Sequence, residues 1–173
     1  MNLVYLISSL PALDFNSAPP LSHEAFIQTC KDWLSEKECA AVEALLYSTP
    51  CEHPFVAAWM DKETILCNAL VEIRARAAGV DASLHTRYAH GCDKKIQSDV
   101  EDAVQHHNPL EKERSIDNIR WENIEELQGP DPLSINSIFA YAVKLAIVSR
   151  WSKRSPESGQ ETFEELTKVP VTL

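Results

Sequence analysis

Histidine and cysteine are the first side chains to weigh for chemistry, because together they could hold a transition metal. Cys51 and His53 stand two apart, His85, His90 and Cys92 crowd one segment, and His106 and His107 are adjacent. A structural or catalytic metal wants several donors converging at fixed geometry. Neighbouring positions on an α-helix point about 100° apart, so His106 and His107 cannot both chelate from one regular helix. The five cysteines contain no Cys-x-x-Cys pair, and an odd count suits neither a disulfide framework nor a zinc knuckle. No metal site and no cofactor is expected.

Paired carboxylates come next: Glu125-Glu126, Glu164-Glu165, and Asp99 with Glu101 and Asp102. Acid–base catalysis needs surroundings that separate two carboxyl pKa values. These acids fall on the solvent faces of expected helices, where charge is ordinarily solvated. No Gly-x-Ser-x-Gly elbow presents a serine. Gly79, Gly91, Gly129 and Gly159 are too sparse to form a phosphate-cradling loop or a dinucleotide fingerprint. No catalytic residue is assigned, and the chain is not expected to be an enzyme.

A third group has the composition of an interface. Arg74 and Arg76 end one helical pattern, Arg120 and Trp121 lie within another, and Tyr141, Lys144, Arg150 and Trp151 share a third. Trp, Tyr and Arg dominate protein–protein contacts, so these eight residues are the candidate partner-binding set. The competing reading is that the large aromatics are core. Lys144, inside a very apolar helix, must snorkel, meet a carboxylate or face a partner.

The elements that must position these groups are helical. Ser22 opens a helix carrying Phe26, Ile27, Cys30, Trp33 and Leu34 inward, and another runs from Glu36 to Leu46. Pro50 and Pro54 mark a loop before an amphipathic helix over Lys62–Ala78, whose stripe is Leu66, Ala69, Leu70, Ile73 and Ala77. Glu72 and Arg76 form an i, i+4 pair on its far side. Residues 80–94 show no period. Helices follow around Ile96–His107, ended by Pro109, then over Leu110–Gln128, over Ile135–Ser152 with Ser134 as cap, and over Glu157–Lys168. Gly79 and Gly129 read as C-caps. Leu3–Leu10 is a short strand or helix. Cys30, Cys39 and Cys67 read as small core hydrophobes. The expectation is an all-α bundle of about seven helices, forming one domain over residues 1–173.

Composition limits the partners. Lys and Arg number 16 against 26 Asp and Glu, a formal net charge of −10. That field repels a phosphate backbone, so nucleic acid is not expected, and it attracts a protein with a basic surface. The apolar run Ile138–Val148 is far short of the about 20 residues a spanning helix needs. Met1–Leu10 lacks the positive start of a secretory leader. A cytoplasmic protein, reaching a membrane only through partners, is expected.

Several segments together resemble a known family. They are Tyr5-Leu6-Ile7-Ser8-Ser9-Leu10-Pro11-Ala12-Leu13, Pro19-Pro20-Leu21-Ser22, and the helix with Phe26 and Cys30. Asn68, Leu70, Arg74, Arg76 and Gly79 continue the pattern. Arg120-Trp121, Ile124, Leu127, Ala140-Tyr141, Lys144-Leu145 and Arg150-Trp151 close it. The chain resembles an uncharacterised bacterial family encoded among V-type ATP synthase subunits. It is more distantly similar to the funnel subunit of archaeal-type ATP synthases and its vacuolar counterpart, an all-helical part that couples the central stalk to the rotor ring. The resemblance implies a non-catalytic accessory or stalk subunit, with stalk or ring proteins as partners, on the cytoplasmic face of the membrane. The chain is much shorter than a complete funnel subunit, so a homodimer or a different role in the same complex is implied. A helical adaptor of another cytoplasmic complex is the alternative, and an enzyme with a helical active site is the third.

Overall fold

The computed structural model describes residues 3–154 and Thr167, and among these the fold is all α. Seven α-helices follow in order: α1 Leu3–Ser9, α2 His23–Lys31, α3 Glu36–Tyr47, α4 Pro54–Ala78, α5 Lys94–Ala103, α6 Pro109–Gln128 and α7 Ile135–Ser152. One 3₁₀ turn, Ala82–Leu84, interrupts the aperiodic stretch after α4. Leu3–Ser9 is thus helix rather than strand. The segment expected as a last helix, Glu157–Lys168, lies outside the described residues apart from Thr167, as do Glu164 and Glu165.

Local chemistry accounts for where the helices begin. Ser22 Oγ accepts from Ala25 N at 3.2 Å. Ser35 and Glu38 form a reciprocal capping box that satisfies donors at the start of α3. Two prolines expected to break the chain instead open helices. Pro54 and Pro109 occupy the first turns of α4 and α6, where a missing N–H costs nothing. Helix α4 therefore starts well before Lys62, and α5 stops at Ala103. Ser134 precedes α7 without capping it through its side chain; its hydroxyl donates to Asp131 O at 2.9 Å. Gly79 takes φ +69° at the end of α4, a region open to glycine at little cost.

Apolar burial divides into two clusters that share two helices. The first joins α1, α2, α3, the start of α4, the end of α6 and most of α7 around Phe26, Leu45, Trp59, Ile124 and Phe139. The second joins the end of α4, α5 and the start of α6 around Leu66, Ile96, Val100 and Ile116. Helix α7 packs on both α3 and α6 and is buried on most sides, as its apolar sequence requires. The long helices α4 and α6 run through both clusters and hold them in one body. Two inward assignments change: Ala77 is exposed and Ala75 buried instead, and Cys67 is exposed, unlike Cys30 and Cys39.

Candidate functional site

Where the two cores meet, charge is buried. Asp117 of α6 is fully inaccessible to solvent. Its Oδ1 accepts from Arg120 Nη1 at 2.8 Å and from Arg150 Nη2, and its Oδ2 accepts from Trp151 Nε1 at 2.7 Å. Arg120 turns its Nε to both oxygens of Glu63 on α4, at 2.9 and 3.0 Å. Glu63 lies between Trp59 of the first core and Leu66 of the second, and Arg120 lies between Ile119 and Ile124 in the same way. One network thus ties α4, α6 and α7 at the seam. Burial works against the Arg120 charge, but Glu63 and Asp117 outweigh it and hold the guanidinium pKa above its ordinary value. Removing one member of such a network strands the others, which fixes how the helices face one another.

The network forms one wall of a cleft of about 400 Å³ bounded by α3, α4, α7 and the loop after α4. Its lining joins the apolar Leu46, Trp59, Val143 and Ile147 to the basic Arg87, Arg120 and Arg150. The aperiodic loop that supplies Arg87 is pinned by side chains of α4. Asn68 Nδ2 donates to Arg87 O at 2.7 Å, and Asn68 Oδ1 accepts from Arg87 N at 2.9 Å. Asp61 sits 3.2 Å from His90 Nδ1, and Lys62 donates to Asp93 at 2.9 Å. Hydrogen bonding to Lys62 is the main reason the Asp93 carboxyl lies below its usual range.

A second cluster gathers Trp121, Tyr141 and Lys144. Lys144 Nζ donates to Glu125 at 2.7 Å and lies 4.8 Å above the Trp121 ring, whose Nε1 donates to the same carboxylate at 3.0 Å. Of the three fates open to Lys144, the structure gives it a carboxylate, with an aromatic face alongside. Tyr141 donates to Pro11 O at 3.0 Å, strapping the segment after α1 to α7, and its ring lies tilted against Phe26 with centroids 5.0 Å apart. Burial pushes its phenol up to about 12.

Six of the eight partner-binding candidates therefore sit in two internal clusters. Arg74 and Arg76 are apart from both, exposed near the end of α4. Arg76 reaches Glu101 of α5 at 4.0 Å rather than Glu72. Among the described residues no three His, Cys, Asp or Glu side chains gather as a metal would require. His90 pairs with Asp61, and His106 lies 3.8 Å from Glu111. The acids Glu125, Glu126 and Asp99 are each engaged by a lysine. No described helix is long and apolar enough to cross a membrane.

Sequence reading missed Asp117, Glu63 and Arg87. The signal for Asp117 was present: it falls seven residues before Ile124, on the apolar stripe of α6, with Arg120 one turn on. A carboxylate in such a position needs buried partners. Nothing in local periodicity could place Arg87, because its position depends on Asn68 across the loop.

Residues 94–169 match the model of a protein family described only as being of unknown function, DUF2764. The match takes in α5, α6 and α7, and with them Asp117, Arg120, Lys144 and Arg150. No curated protein and no solved structure matches the chain.

Proposed function

We propose that this chain is a non-catalytic accessory or stalk subunit of a rotary V-type ATP synthase, a helical part resembling a portion of the funnel that joins stalk to ring. The observation that carries the reading is the bracing of the residues on which that resemblance rests. Arg120, Trp121, Tyr141, Lys144, Arg150 and Trp151 are tied to α4, to α6 and to the segment after α1 through Glu63, Asp117, Glu125 and Pro11. A part that transmits force between a stalk and a ring must resist shear between its helices. Buried ion pairs and short hydrogen bonds that span α4, α6 and α7 supply that resistance, because sliding a helix would strand several charges at once. The acidic surface, net −10, suits a basic partner. Partners would be stalk or rotor-ring proteins on the cytoplasmic face, with the membrane reached only through them and a second copy of the chain as one way to enlarge the part.

Gentle affinity purification of the tagged chain from detergent-solubilised membranes, with mass spectrometry of what accompanies it, tests this. Stalk and rotor proteins in constant ratio are expected. Recovery of the chain alone from the soluble fraction at every salt concentration would overturn the reading.

A further inference from the structure

The cleft beside the ion network combines a basic with an apolar lining, and we propose that it binds an amphipathic carboxylate, a small molecule with one acidic head and an aliphatic tail. This is independent of whether the chain works in a rotary ATPase.

Arg87, Arg120 and Arg150 reach the cleft from the loop after α4, from α6 and from α7. Each is held in a way that leaves donors over. Arg87 is clamped by Asn68 through its main chain alone, and its guanidinium has no hydrogen-bond acceptor among the described residues. Arg120 commits Nε and Nη1, leaving Nη2, and Arg150 commits only Nη2. Glu63 also faces the cleft, but both its oxygens already accept from Arg120. Three guanidinium groups thus stand against the carboxylates of Glu63 and Asp117, and a positive excess remains in a chain of net charge −10. Planar guanidinium forks match a carboxylate in two-point contact.

The apolar lining decides the rest of the ligand. Leu46, Trp59, Val143 and Ile147 offer hydrocarbon and indole surface and no charge. An inorganic anion would satisfy the arginines and leave that surface wet. A neutral hydrocarbon would cover the surface and give the arginines no acceptor. A short aliphatic acid does both, and about 400 Å³ lies within the size range of small-molecule pockets.

Octanoate is the probe, titrated into the whole chain by calorimetry and by ¹H–¹⁵N spectra, with octanol and inorganic phosphate as separate arms. Two variants test the site, with the ¹H–¹⁵N spectrum of each checking that the fold is kept. Arg87→Gln leaves the Asn68 clamp intact because that clamp grips the main chain. Ala146→Leu fills the cleft from its α7 wall. Octanoate should shift the resonances of Trp59, Arg87 and Ala146 saturably, and octanol and phosphate should each bind at least about tenfold more weakly. Arg87→Gln should weaken octanoate by about ten- to a hundredfold, the worth of one charge-assisted hydrogen bond, and Ala146→Leu should abolish binding. The assignment fails if octanoate shows no saturable effect on those resonances. It fails equally if octanol matches octanoate, if phosphate matches octanoate, or if neither variant changes the affinity.

Discussion

Trp151 at the end of α7 donates its indole N–H to Asp117 Oδ2 at 2.7 Å, across 34 residues of chain. The other oxygen of Asp117 serves Arg120 and Arg150. One buried carboxylate thus satisfies three donors from two helices, with Glu63 as the further acceptor for Arg120. Asp117→Leu should therefore lower stability by about 3 kcal/mol, because the largely buried Arg120 and the Trp151 indole lose their partner while the half-exposed Arg150 can turn to water. Adding Arg120→Met and Arg150→Met to it should recover most of that loss, since an apolar trio can replace a buried ion network. Urea unfolding of the single and triple variants measures both. A loss below about 1 kcal/mol in Asp117→Leu would mean that the network is as weak as a surface pair.

Lys144 behaves differently, although it too has a carboxylate. Its partner Glu125 is half exposed, and water can take over from the ion pair when it is broken. Lys144→Met keeps most of the side-chain volume over Trp121. The expected change in unfolding free energy is within about 1 kcal/mol, because the Met replaces the largely buried lysine stem and water reaches the carboxylate it leaves. A loss above about 2 kcal/mol by the same urea titration would show that the Trp121 face and Glu125 hold Lys144 as one buried unit.

What could be read beforehand follows from range. Helix α7 was legible because its apolar run, Ile138 to Val148, sits between the breakers Pro130 and Pro132 with Ser134 ahead of it and the polar Ser152-Lys153 behind it. Helix α4 was misread at its start because Pro54 looks like a breaker, yet proline is welcome in a first helical turn. Phe55, Val56 and Trp59, which lie in that missed stretch, belong to the core. The chemistry was legible as residue types and not as pairs. Arg120, Arg150 and Trp151 stood out as interface-like, but Asp117, which claims all of them, reaches Arg150 and Trp151 only because α6 and α7 pack side by side. The loop carrying Arg87 has no period to read, since its order comes from Asn68 and Asp61 on another element.

His23 gives the fold a measurable acid sensitivity. Its Nε2 is buried without a hydrogen-bond partner, and its ring meets Tyr47 edge-on at 5.7 Å. Desolvation, the largest cause, lowers its pKa below the ordinary 6.5; Glu24 opposes this and Lys153 adds to it. The unfolded chain therefore takes up the proton more readily than the folded one. Stability is complete above the unfolded pKa and falls as pH drops through it toward the folded value. His23→Phe keeps the ring contact and removes the titration. Between about pH 7.5 and about pH 5.5 the wild type should lose more stability than this variant, while the carboxylates, common to both, cancel in the difference. Parallel slopes for the two proteins in thermal melts across that range would sink the assignment.

The cysteines divide by burial, and alkylation should report the division. Burial pushes the Cys30 thiol up to about 12, and a charge effect from Cys39 adds to it. At pH 8 its thiolate fraction is on the order of one in ten thousand, and the thiolate is the nucleophile. The Cys39 thiol is also raised, by burial first and by Glu43 next. Cys92 is exposed on the loop before α5. Cys67 exposes much of its surface at the cleft, yet partial burial of the thiol and the neighbouring Glu63 raise it. Iodoacetamide followed site by site with mass spectrometry should modify Cys92 first and Cys67 more slowly. Cys30 and Cys39 should stay unmodified until the chain unfolds. Labelling of Cys30 at the rate of Cys92 under native conditions would show that α2 opens from α3 on the time scale of the reaction, and the first core would then be far less stable than its packing implies.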